Sequence, residues 1–127
     1  MWMNPAPFLM ALLVCLGTAD FAEGDIDAGE KVFCRCKACH AIGPDAKTKT
    51  GPALTGIVGA KVGREPDFRN SKALLAAASE GLVRDEVLLS AFLTKSRDFL
   101  DGTKMSFSGL RREKDIVNLM VYLASFE

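Results

Sequence analysis

The chain has 127 residues, enough for one domain and no more. Sixteen Lys and Arg balance sixteen Asp and Glu. That balance excludes a general nucleic-acid binder, whose surface carries a strong basic excess.

Residues 1–19 read as an export signal rather than as part of the domain. Residues 8–17, FLMALLVCLG, form an apolar run of ten, too short to span a bilayer and the right size for a signal core. Gly17-Thr18-Ala19 offers the small residues of a cleavage site after Ala19, with Ala22 as the alternative. The opening MWMNPAP lacks the usual Lys or Arg, so retention as a membrane anchor is the competing expectation. Cys15 after Leu12-Leu13-Val14 only loosely resembles a lipoprotein box. Residues 20–127 form the single expected domain, and they keep every charge of the chain.

That domain starts acidic, with Glu23, Asp25, Asp27 and Glu30. Asp27 followed by Glu30 reads as a capping box for a first helix that places Val32 and Phe33 on its buried side. Residues 41–69 show no sustained period and are broken by glycines and prolines. A loop of that length in a small domain needs something other than its own core to hold it, and a bound cofactor would serve. Asn70 or Ser71 caps a short helix through Ser79, with Gly81 as its stop. Val87, Leu88, Ala91 and Phe92 mark the apolar face of a third helix over residues 85–95. Residues 99–110 are irregular again. Over residues 114–126, Ile116, Leu119, Met120 and Leu123 form one helical stripe. No stretch alternates like a strand, so the fold class is all-α, about four short helices with long loops.

Four cysteines in an exported chain ordinarily mean disulfides, but Cys34, Cys36 and Cys39 crowd together and cannot cross-link distant parts of a fold. Cys36-Lys37-Ala38-Cys39-His40 is instead the C-x-x-C-H pattern of covalent c-type haem attachment. Cysteines three apart on a helical turn share one face, so both sulfurs reach the two vinyl groups of a porphyrin. The next residue, His40, then meets the iron. A zinc site is the alternative, because Cys34, Cys36, Cys39 and His40 supply four ligands. The usual second ligand pair further along the chain is missing, however. His40 is the only histidine, so the sixth iron position falls to methionine, to lysine, or stays open. Met120 reads as core. Met105 stands in a Gly-containing loop sixty-five residues beyond His40, enough chain to reach the other haem face. A thioether ligand raises the potential, and two filled axial positions favour electron transfer over catalysis.

These motifs together resemble the class I c-type cytochromes, the family of mitochondrial cytochrome c and its small bacterial relatives. Gly29-Glu30-Lys31-Val32-Phe33 resembles the family's first helix, and Leu119 and Tyr122 fall where the last helix meets it. Thr50-Gly51-Pro52-Ala53-Leu54 resembles the loop on the histidine side, which implies that Pro52 braces His40. Gly102-Thr103-Lys104-Met105-Ser106-Phe107 resembles the methionine-ligand loop, which assigns Met105 as sixth ligand and packs Phe107 by the haem. The resemblance implies the cytochrome c fold around one covalent haem c.

Three positions depart from the family. Arg84 stands where a tryptophan often bonds a haem propionate, Phe92 where a tyrosine bonds the methionine sulfur, and Asn70 where another tyrosine faces a propionate. Cys34 is a spare thiol. The expected function is a periplasmic, monomeric one-electron carrier. Lys37, Lys49, Lys61, Lys95, Arg97, Lys104, Arg111 and Arg112 would ring the exposed haem edge and steer the carrier to acidic faces of redox partners. The resemblance implies a cytochrome bc complex as donor and a terminal oxidase or reaction centre as acceptor. A dedicated haem subunit of an oxidoreductase and a gas-binding haem protein are the rivals.

Overall fold

Asp25 starts the first helix, and the reason is local. Its backbone is extended, and its carboxylate accepts from the Asp27 and Ala28 N–H groups, capping α1 (Ile26–Phe33). The cap is therefore two residues earlier than the Asp27–Glu30 pattern indicates, and Asp27 sits in the first turn, where its charge suits the helix dipole. The computed structural model describes residues 24–65 and 68–127, so the export-signal reading of residues 1–19 falls outside the described residues.

Four further helices follow: α2 (Lys72–Ser79), α3 (Glu86–Thr94), the single turn α4 (Ser96–Phe99) and α5 (Glu113–Ala124). Ser71 and Asp85 cap α2 and α3 through the Leu74 and Leu88 N–H groups. The one helix not foreseen is α4. Ser96, buried at its start, donates its hydroxyl to the Phe92 carbonyl at 2.8 Å.

The core is built where α1 crosses α5. A Cβ on Gly29 would lie 2.0 Å from the Asn118 carbonyl oxygen, so the two backbones touch at a residue with no side chain. Asn118 fastens the crossing by accepting from the Asp25 N–H at 2.9 Å. Phe33 lies against Tyr122 with ring centroids 5.3 Å apart, and Tyr122 meets Phe126 edge-on at 5.1 Å. Ile116, Leu119, Met120 and Leu123 are all buried, as their stripe indicates.

On α3 the buried residues are Leu89 and Leu93, not the face marked by Val87 and Ala91. Val87 is 78% exposed, and Ala91 is exposed too. The helix is apolar most of the way round, so period alone does not select its inner face.

Backbone hydrogen bonds hold the long loop to its surroundings. Gly56 N–H donates to Phe126 O, Gly59 N–H to Arg84 O, Arg84 N–H to Ala60 O and Val62 N–H to Leu82 O. Lys61 and Val83 form an isolated antiparallel bridge, the only strand-like pairing among the described residues.

Candidate haem-binding site

The cysteine segment continues directly from α1 as a run of turns. Cys36 N–H donates to Phe33 O at 2.8 Å, and the N–H groups of Cys39 and His40 both reach Cys36 O, at 3.1 and 2.8 Å. The chain therefore stays wound through the motif, and Cys36, Cys39 and His40 share one tight turn. Cys36 is half-buried against the core, while Cys34 and Cys39 are exposed. Burial pushes the Cys36 thiol up to about 11, and the neighbouring Arg35 guanidinium offsets only part of that.

His40 is oriented by the loop across from it. Its Nδ1 lies 2.7 Å from Pro52 O. A carbonyl only accepts, so the proton resides on Nδ1 and the Nε2 lone pair is left for a metal. The space beside the ring is taken: a Cβ on Gly51 would sit 2.4 Å from His40 Cε1. Gly51 also donates its N–H to Cys39 O at 2.8 Å, which ties this loop to the cysteine turn.

Met105 is half-buried, and its N–H donates to Thr103 Oγ1 at 3.3 Å. The preceding Lys104 anchors this loop by donating Nζ to Arg69 O at 3.0 Å. Phe107, also half-buried, packs against the core cluster. Phe92 meets Phe99 edge-on at 6.3 Å. Met120 is 2% exposed and belongs to the core.

Arg84 was singled out as a propionate partner; within the protein it is paired to Glu65. Nη1 donates to Glu65 Oε1 at 2.6 Å and, at 3.5 Å, to Lys61 O. Glu65 was missed by sequence reasoning, because an acid in a Gly- and Pro-broken loop reads as a solvated charge.

The donor set fits a haem and not zinc. No three His, Cys, Asp or Glu side chains among the described residues are gathered as a metal site. What is gathered is a half-buried thiol, an exposed thiol three residues on, and an imidazole oriented through its Nδ1.

No protein-family model matches the chain. The cytochrome c2 of Agrobacterium tumefaciens (strain II Chrys) is 44% identical over 101 residues, covering 80% of this chain and 91% of that protein. The chain belongs to the class I cytochromes c. The solved cytochrome c2 from Rhodospirillum Centenum superposes with a TM-score of 0.76 at 36% identity, over 82% of this chain and 99% of that one. Cytochrome cH from Methylobacterium extorquens gives 0.72 at 38% identity, over 80% and 99%. As a class I cytochrome c the protein is an electron carrier rather than an enzyme, works with redox partners and carries one covalently attached c-type haem. No helix among the described residues is long and apolar enough to cross a membrane.

Proposed function

We propose that this cytochrome c is a periplasmic one-electron shuttle with thioether links at Cys36 and Cys39 and with His40 and Met105 as axial ligands. The observation that carries the reading is the 2.7 Å contact of His40 Nδ1 with Pro52 O, which orients the ring and leaves Nε2 for the iron. The haem supplies the one-electron couple between ferric and ferrous iron.

The protein's own part is to hold and to shield. The wound turn after α1 keeps both sulfurs and the imidazole together. Cys36 lies half-buried against the core. Thr103 and Lys104 pin the loop that carries Met105, and Phe92 and Phe107 line the apolar surroundings. Arg84 is the candidate partner of a propionate. All eight proposed docking cations, from Lys37 to Arg112, are exposed. They suit brief contact with acidic faces on a cytochrome bc complex and on a terminal oxidase or reaction centre.

Optical spectra of the haem-matured protein test the ligation. The weak near-infrared band of ferric methionine-sulfur ligation is expected in the wild type and absent in Met105→Ala. A wild type that lacks the band and looks high-spin overturns the shuttle. It favours the gas-binding reading, which draws support from Phe92, a residue with no hydroxyl to steady the sulfur.

A further inference from the structure

Buried opposite charges usually satisfy each other fully; Arg84 and Glu65 do not. Their side chains are 11% and 10% exposed, yet they share a single hydrogen bond, from Nη1 to Oε1. Glu65 Oε2 is fully buried and has no partner among the described residues. Arg84 Nε and Nη2 likewise have no acceptor among them. A guanidinium favours carboxylates through two parallel bonds. Here it spends one nitrogen on Glu65 and keeps a fork of donors uncommitted.

The backbone beneath this fork is fixed. Arg84 donates its N–H to Ala60 O and accepts from Gly59 N–H, both at 2.7 Å. The Glu65 bond then holds the guanidinium at Nη1, and Nε and Nη2 stay open to a further acceptor. A guanidinium held in this way receives a planar anion, and the anions that a haem brings are its propionate carboxylates.

Resting on the haem reading above, we propose that Glu65 is a positioning residue that sets the reduction potential. It holds Nη1 so that the rest of the guanidinium meets a propionate, and it adds its own negative charge to the site. The signs follow from charge alone. Oxidised haem carries one more positive charge than reduced haem, so a buried anion nearby favours the oxidised form and a cation the reduced form. Glu65 lowers the midpoint potential; Arg84 raises it. A pair with a solely structural role would change the melting temperature and leave the potential alone.

Spectroelectrochemical titration of the holoprotein tests this, with Glu65→Gln, Arg84→Gln and the double variant Glu65→Leu/Arg84→Leu. Glu65→Gln is expected to raise the midpoint and Arg84→Gln to lower it. The double variant removes the pair together, which buried ion pairs tolerate far better than loss of one partner. It serves if a single variant fails to fold. Loss of an anion and a cation together largely cancels, so its midpoint is expected to lie between those of the two single variants. A Glu65→Gln protein with covalent haem, an intact near-infrared band and an unchanged midpoint overturns the role of Glu65 and leaves the carrier reading standing. A double variant displaced as far from the wild type as a single variant overturns the opposed signs. Haem that acidified solvent extracts from the wild type overturns the attachment reading beneath, and this inference with it.

Discussion

His40 shows how little a residue's identity says about its state. Its place after Cys39 marks the histidine as the candidate iron ligand. Its tautomer depends on a carbonyl twelve residues away, at Pro52, and a backbone carbonyl has no residue-type signature. Gly51 is the matching case on the other side of the ring. A methyl group there would meet the imidazole at 2.4 to 2.9 Å. Gly51→Ala should therefore push the ring off its axis, destabilising the protein by about 1–3 kcal/mol. A lowered melting temperature together with a weakened low-spin spectrum is the expected result. Loss of stability with an untouched spectrum would place the strain elsewhere in the loop.

At the scale of elements, the contact of α1 with α5 organises the fold and rests on Gly29. Gly29→Ala puts a methyl group 2.0 Å from a backbone oxygen, and backbone cannot give way as a side-chain tip does. The helices must separate, at a cost of about 3 kcal/mol, read as a drop in the denaturation midpoint. Tyr122 adds a pH dependence at the same contact. Burial, then the charges of Glu30 and Cys34, raise its hydroxyl above the usual 10.0. A raised folded-state value means that the folded chain holds the proton more tightly than the unfolded one. The stabilisation is complete below pH 10.0 and is lost as pH rises through the higher folded value. Thermal melts between pH 9 and 12 should show this fall, and Tyr122→Phe should flatten it.

Across the whole molecule the net charge is zero, so steering depends on where the charges lie. Lys95 is paired with Asp98 at 3.6 Å and Arg112 with Asp115 at 3.0 Å, which blunts the field of both cations. Arg97 and Arg111 are in none of the ion pairs among the described residues. Electron-transfer rates with an acidic partner should fall steeply as salt shortens the screening length to about 8 Å near 0.15 M. Charge reversal at Arg97 or Arg111 should slow transfer more than reversal at Lys95. Rates indifferent to salt would remove the basic ring from the account.

What the sequence by itself determined is the local chemistry. Covalent attachment needs two thiols and an imidazole at close spacing along one turn, and that spacing is written directly in residues 36–40. The stripe of α5 and the cap at Ser71 are local in the same sense, since each forms within a few residues. Tertiary structure alone decided the rest. It selected Leu89 and Leu93 as the inner face of α3, because an almost uniformly apolar helix has no preferred side until it meets the core. It brought Asn118 of α5 to the start of α1, where its side-chain oxygen accepts from the Asp25 N–H. It also paired Glu65 with Arg84, nineteen residues apart, because only the folded loop brings those two charges together out of water.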